Sequence, residues 1–155
     1  MPLFHHTDAE TLDLTRKYEQ TFYKKPLGLW YDIDCSWAEW CEHNEYSIGS
    51  NHFLLEIDYE DVLVIDTAEK LVQFHDQFSF VPEELKSVSG DWRRIDWAKL
   101  AKYYTGIEIA PYREEQVGLR GYFWYQMWSV PSGCIWDLSI IKSVVKVEHL
   151  TKTDL

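Results

Sequence analysis

The chain has 155 residues, of which 46% are hydrophobic, and a formal net charge of −11 at pH 7. The length fits one domain over residues 1–155, no apolar run reaches the roughly 20 residues that span a bilayer, and direct nucleic-acid binding is disfavoured because it needs clustered Lys and Arg. The N-terminal residues lack the basic start and apolar run of a signal peptide, so we expect an intracellular, cytoplasmic protein without membrane contact.

The first predicted elements are a strand over residues 2–6 and a helix that runs to about residue 23. Thr7 with Glu10 has the Ser/Thr-x-x-Glu form of a capping box, which starts a helix. Three apolar side chains then recur at intervals of four residues, as expected on the buried face of a helix: Leu14, Tyr18 and Phe22.

An aromatic-rich stretch, residues 26–41, comes next. It predicts a strand over residues 29–33 and then a helix to about His43, because Ser36 and Glu39 form a second capping box. The polar residues 44–51 that follow indicate a loop.

The middle of the chain predicts two strands, residues 52–59 and 62–65, which we expect to pair as a hairpin. Ala68, Leu71, Val72 and His75, followed by Phe78, have the spacing of one helical face, so we expect a helix there, and we interpret His75 as a packed histidine.

The remaining elements include more strands than helices. Asp96 is expected to cap a helix that Gly106 ends. The predicted strands are residues 107–109, 121–130, 134–138 and 143–149, with a polar loop over residues 113–120. Because helices and strands do not alternate regularly, the predicted class is α+β.

Three cysteines, Cys35, Cys41 and Cys134, make an odd count without the spacing of a disulfide framework, which indicates reduced thiols. Cys35, Cys41 and His43 match no usual zinc spacing, so no metal site is predicted. The acidic charge permits a basic protein partner, including one that normally holds nucleic acid, although solubility alone explains the charge as well.

Familiar cofactor and nucleophile motifs are missing from the sequence. It contains no glycine-rich dinucleotide loop, no P-loop and no serine nucleophile elbow. Three separated segments remain: a strand that ends at His5 and Thr7, the aromatic-rich stretch, and the turn at Ser132. Core packing, a helix cap and a turn also explain these residues without any functional site.

The order of the three segments resembles the ADP-ribosyltransferase fold, in the branch of diphtheria toxin and the poly(ADP-ribose) polymerases. Residues 5–7 are similar to the family's His-Gly-Ser/Thr strand, with His6 in place of Gly. Residues 28–31 are similar to its Gly-Ile-Tyr-Phe strand, and Trp40 with Cys41 to the Tyr-Cys pair that ends the next helix. The resemblance implies a single domain of split β-sheets with helices.

The resemblance also implies that NAD is the co-substrate. His5 and Thr7 would bind NAD, and Trp30 and Trp40 would hold the nicotinamide, a cationic ring that favours π faces. The implied cofactor-binding set is completed by two further residues: Tyr31 and Ser132.

In this register Ser132 occupies the position of the family's catalytic Glu. Either the chain is inactive, or another carboxylate stabilises the oxocarbenium-like ribose; the candidates are Glu108, Glu114 and Glu115. Small acidic anti-CRISPR ADP-ribosyltransferases of phages are similar too, with a Tyr-Thr-x-x-Glu segment like residues 104–108. From its strand alone, Glu108 would instead face solvent.

The activity that the resemblance implies is transfer of ADP-ribose from NAD to a protein side chain, for example of a host or defence-system protein. The related RNA 2′-phosphotransferases share the fold, but their RNA groove needs positive charge. The alternative is a non-enzymatic acidic protein that blocks a basic, nucleic-acid-binding surface of its partner.

Overall fold

The computed structural model describes residues 1–21 and 24–150, which contain both helices and strands, so the mixed class expected from the sequence is confirmed. The strands are β1 Leu3–Thr7, β2 Leu29–Ile33, β3 Asn51–Ile57, β4 Val62–Ile65, β5 Ser79–Phe80, β6 Arg94–Ile95, β7 Gly106–Ile109, β8 Ser132–Ile135 and β9 Ile141–Val147. The helices are α1 Ser36–His43, α2 Ala68–Phe78, α3 Trp97–Leu100 and α4 Glu114–Val117. Short 3₁₀ segments span Glu83–Leu85, Phe123–Met127 and Leu138–Ile140.

Seven strands form one mixed sheet in the order β4-β7-β8-β2-β1-β3-β9, and β5 pairs with β6 in a separate small sheet. Neighbours in the large sheet are antiparallel except for β4 and β7, which are parallel. Strand β1 pairs with β3 along its whole length but with β2 only at Leu3 and Phe4. The hydrogen-bonded ladder between β1 and β2 therefore ends at Phe4.

The two faces of the sheet carry two hydrophobic clusters, because successive residues of a strand point to opposite sides. On one face, Trp30, Ile107 and Cys134 pack against α2, α3 and the aromatic segment Phe123–Met127. On the other face, buried residues of the central strands, such as Tyr31, pack against side chains of β3.

Helix α2 confirms the apolar pattern seen in the sequence, with one difference. Thr67 caps it by accepting the backbone N–H of Lys70 at 3.1 Å. Leu71, Phe74 and Phe78 form its buried face, whereas Val72 is exposed.

The helix predicted between Thr7 and about residue 23 is wrong for the described part, and Phe22 lies outside the described residues. Residues 8–21 form turns and irregular chain. Thr7 Oγ1 accepts the N–H of Ala9, and Asp13 Oδ1 accepts the N–H of Thr15. These short side-chain contacts satisfy backbone donors locally and so compete with a helix.

The hairpin predicted for residues 52–65 is also wrong, although both strands exist. Strand β3 has β1 on one edge and β9 on the other, so neither edge is free for β4. Strand β4 instead pairs in parallel with β7 at the opposite end of the sheet.

Gly106 does not cap a helix but begins β7. Helix α3 ends at Leu100, earlier than the pattern predicts, and turns follow it. A Cβ atom at Gly106 would lie 2.8 Å from the carbonyl oxygen of Cys134 on β8. A glycine is needed here because the two strands approach each other too closely for a side chain.

The strand predicted over residues 121–130 is replaced by the 3₁₀ segment Phe123–Met127. The N–H of Tyr125 bonds to the carbonyl of Tyr122, and that of Trp128 to the carbonyl of Tyr125. The aromatic residues favour a strand locally, but burial of Trp124, Tyr125 and Trp128 in one cluster determines the conformation.

Residues 113–120, expected to be a loop, contain the short helix α4.

No helix within the described ranges is long and apolar enough to cross a membrane.

Candidate functional site

The three segments singled out in the sequence lie on neighbouring strands, β8, β2 and β1. Beside them is a cleft of about 430 Å³, which is within the roughly 300–1,000 Å³ of small-molecule sites. The strands, the chain before β2, the first turn of α1 and the chain after Tyr125 contribute its lining residues: Phe4, His5, His6, Lys25, Trp30, Tyr31, Asp32, Trp37, Gln126, Met127, Trp128, Ser129, Val130 and Ser132.

His5 lies where the ladder between β1 and β2 stops. Its ring Nδ1 is 2.5 Å from the carbonyl oxygen of Trp30, and burial lowers the pKa of His5. Because a carbonyl only accepts, Nδ1 carries the hydrogen, and Nε2 of the neutral ring is an acceptor. The ring therefore offers an acceptor suited to a sugar hydroxyl.

Trp30 forms an aromatic wall of the cleft. Its ring meets that of Trp128 edge-on, with centroids 4.8 Å apart and planes at 65°. The ammonium of Lys25 lies 5.5 Å from the ring centroid of Trp30, within cation–π range. This contact shows that the ring of Trp30 accommodates positive charge.

Trp40 lines a depression of about 300 Å³ with Tyr112 and Glu114, next to the cleft rather than in it. The two recesses share Ser129. The ring that α1 presents to the cleft is Trp37, which stacks on Trp40 at 4.8 Å and 7°. Of the two stacked tryptophans of α1, Trp37 lines the cleft, whereas Trp40, the residue named from the sequence, does not.

Asp32 is the acidic residue in the lining of the cleft, and it is only 2% exposed. Its Oδ2 accepts the Nε2–H of His6 at 2.8 Å and the backbone N–H of Trp37 at 2.9 Å. Its Oδ1 is buried and has no hydrogen-bond partner among the described residues. One oxygen is thus fixed by two donors, while the other retains its full capacity to accept.

The hydrogen bond from the backbone N–H of Trp37 to Asp32 also explains where α1 begins. Ser36 was expected to cap the helix, but its hydroxyl donates to the carbonyl of Pro131 instead. Cys35 precedes the helix in the left-handed conformation, and the carboxylate of Asp32 takes the N–H of Trp37. A negative group is favourable at this end of a helix.

His6 connects Asp32 to His52 on β3. The Nδ1 atoms of His6 and His52 are 2.9 Å apart, so a single hydrogen lies between them. Burial and the neighbouring His6 lower the pKa of His52, which favours its neutral form. A hydrogen-bonded path therefore runs from Asp32, which lines the cleft, to the partly exposed His52.

Glu108 is buried on the other face of the sheet and does not face solvent as its sequence position suggests. Its Oε1 accepts the hydroxyls of Tyr31 at 3.0 Å and Tyr59 at 2.7 Å. Burial and the carboxylate raise the pKa of both tyrosines. The ring of Tyr31 crosses Gly133 to reach Glu108, so it lies opposite the neighbouring Trp30.

The other residues of the predicted site are distributed as follows. Ser132 lines the cleft, is paired with Asp32 across the strands, and donates its hydroxyl to the carbonyl of Val130. Thr7 lies at the end of β1 opposite Asn51. Glu114 and Glu115 are exposed on α4.

The three cysteines are buried and form no disulfide with a described residue, and burial raises the pKa of Cys134 well above its usual value. A neutral, inaccessible thiol is a poor nucleophile. Over the described ranges, no group of three or more His, Cys, Asp or Glu could hold a metal ion.

Asp32 and Trp128 are among the residues of the cleft that sequence reasoning missed. Asp32 is two positions after Trp30 on one strand, and a period of two places both side chains on one face. That signal was present in the sequence. Trp128 carried no comparable signal, since its segment resembled a strand.

Comparisons with protein-family models, with curated proteins and with solved structures found no match.

Proposed function

We propose that the chain is an NAD-dependent mono-ADP-ribosyltransferase that modifies a protein side chain. The observation that carries the proposal is the convergence of His5, Trp30 and Ser132 on one cleft that Asp32 also lines, one carboxylate oxygen of which is buried and has no partner in the described part of the chain. Three segments chosen for their resemblance to this family could have been far apart in the fold, and they are neighbours.

The residues of the cleft fit the nicotinamide end of NAD. A flat cationic ring suits the aromatic walls formed by Trp30, Trp37 and Trp128. Asp32 Oδ1 is an unused acceptor for an amide or hydroxyl donor. The ammonium of Lys25 lies over the ring of Trp30. Its side chain is flexible and can move aside when the nicotinamide ring binds there.

NAD supplies a bond between the nicotinamide nitrogen and the ribose carbon. When that bond breaks, its electron pair leaves with nicotinamide and positive charge develops on the sugar. In our proposal the carboxylate of Asp32 stabilises this charge, and Nε2 of His5 orients a ribose hydroxyl. The acceptor side chain of the target forms the new bond to the sugar and loses a proton.

This assignment places Asp32 in the role for which Glu108, Glu114 and Glu115 were the sequence candidates. Glu108 points away from Trp30, whereas Glu114 faces the recess beside Trp40. In the proposal, Glu114 meets the incoming protein rather than the sugar.

The test is release of nicotinamide from NAD by the purified protein. We expect release from the wild type and an approximately tenfold loss in His5→Ala, because the variant lacks the acceptor for the ribose. His43→Ala, at the exposed end of α1, is the matched control and retains full activity. Circular dichroism confirms that each variant is folded.

Absence of both nicotinamide release and any change in tryptophan fluorescence at millimolar NAD would overturn the proposal. That result would favour the non-enzymatic acidic binding protein, whose aromatic residues serve only the core and an interface.

A further inference from the structure

A second cavity, of about 230 Å³, shares no lining residue with the cleft and carries a different set of side chains. It combines cationic groups with aromatic rings. The lining residues are Lys24, Leu85, Val88, Trp92, Arg93, Arg94, Phe123 and Trp124.

The charge of this cavity is opposite to that of the whole chain. Three cationic side chains line it, in a protein of net charge −11, and no described acidic residue is among its lining. Arg93 is paired with Asp91 at 3.1 Å, but neither Lys24 nor Arg94 forms an ion pair with a described residue. The cavity is therefore suited to an anion.

The rings of the cavity are accessible. Trp92 and Phe123 are each 39% exposed, which is high for such large apolar side chains, and their rings meet edge-on at 5.6 Å. Lys24 lies 5.8 Å from the ring centroid of Phe123. Exposed aromatic rings beside Lys and Arg form the combination that binds a base together with its phosphate.

The second cavity adjoins the cleft. The segment Phe123–Met127 separates them, with Phe123 on one side and Gln126 on the other, about 6 Å further along a 3₁₀ helix. Lys24 faces the second cavity and the next residue, Lys25, faces the cleft. Two consecutive cations thus mark the boundary between the two recesses.

We infer that this second cavity binds the adenosine-monophosphate end of NAD. The inference rests on the proposed function, which places the nicotinamide end in the cleft. The diphosphate would cross the boundary at Lys24 and Lys25, and the adenine would stack on Trp92 or Phe123. A volume below the roughly 300–1,000 Å³ of whole-ligand sites suits one end of a dinucleotide.

The experiment titrates AMP and nicotinamide separately into the full chain by calorimetry. AMP binds the wild type, and its affinity falls about tenfold in Arg94→Gln and in Trp92→Leu, because the first variant removes a cation and the second a stacking ring. Nicotinamide affinity is unchanged in both variants. Lys102→Gln, an exposed lysine outside the cavity, is the control for charge and leaves AMP binding unchanged.

The inference is overturned if AMP fails to bind, if it binds all four proteins equally, or if only a poly-glutamate peptide binds in an Arg94-dependent manner. The last outcome would identify the cavity as a site for an acidic protein. Binding of nicotinamide without AMP retains the proposed function and rejects this inference. Binding of AMP without nicotinamide rejects the proposed function, and with it the assignment of the cavity to NAD, and identifies the cavity as a site for a free nucleotide.

Discussion

Asp32 has two donors on one carboxylate oxygen and none on the other, and this asymmetry makes its role testable. Replacement by Asn keeps the shape but removes the charge that would face the ribose. We expect Asp32→Asn to reduce nicotinamide release by about 100-fold, the loss typical when one electrostatic group of a catalytic site is removed.

Asp32 also caps α1 and bonds to His6, so its replacement is expected to reduce stability as well. NAD binding, followed by tryptophan fluorescence, separates the two effects: a folded Asp32→Asn protein that binds NAD but releases little nicotinamide supports the catalytic role. Asp34→Asn, two residues further along the chain, is the control. Turnover within twofold of the wild type would exclude Asp32 as the carboxylate.

At the scale of elements, the close approach of β7 and β8 predicts which glycines tolerate a side chain. Gly106→Ala places a methyl group 2.8 Å from a backbone carbonyl, which cannot move aside as a flexible side chain would. We expect the free energy of unfolding, measured in urea, to fall by about 1–3 kcal/mol. Because β7 carries Glu108 and β8 carries Ser132, NAD turnover is expected to fall as well.

Gly118→Ala is the matched control for that change. Gly118 follows α4, and a Cβ atom there meets nothing within 4 Å. The same substitution should therefore be neutral or stabilise the fold by up to about 1 kcal/mol, because it restricts the unfolded chain. Equal losses in the two variants would contradict the steric explanation.

The elements differ in how far the sequence predicts them. Strand β2 and helix α2 follow their patterns because the same residues that favour the element also bury its apolar face. The aromatic segment Phe123–Met127 and residues 8–21 do not follow theirs. In the first, burial among distant residues outweighs local preference, and in the second, short side-chain contacts replace helical bonds.

The candidate site was predictable to the extent that it depends on strands. His5, Trp30 and Ser132 were identified from short motifs, and their strands turned out to be neighbours. The partner of Asp32 was not predictable, because the contact between His6 and Asp32 depends on how β1 and β2 pair across 26 positions. The second cavity depends on Arg94 and Phe123, which only the complete fold brings together.

At the scale of the whole molecule, the pKa values of three histidines determine how the free energy of unfolding is expected to depend on pH. Burial lowers the pKa of His5, His52 and His75 below the value of about 6.5 in the unfolded chain. Below that pH the unfolded chain takes up more protons than the folded one. The stability that these groups contribute is therefore complete above about pH 6.5 and is lost as pH falls through their lowered values.

Urea unfolding at about pH 7.5 and about pH 5 measures this effect, and we expect the lower free energy of unfolding at the lower pH. In His75→Gln the loss should be smaller, because the variant does not titrate but can still accept the indole N–H of Trp124. His43→Gln, at an exposed position, should leave the loss unchanged. Stability that stays constant or increases towards pH 5 would contradict the prediction.

The contact between the Nδ1 atoms of His6 and His52 gives the buried cleft a spectroscopic reporter near the surface. Only one hydrogen fits between the two rings, and His6 also donates to Asp32, so the position of that hydrogen depends on the electrostatic field at Asp32. A cationic ligand placed against Asp32 would weaken the electrostatic attraction between the carboxylate and His6. The shared hydrogen would then move towards His52, and ¹⁵N resonances of His52 would report occupancy of a cleft that His52 does not line.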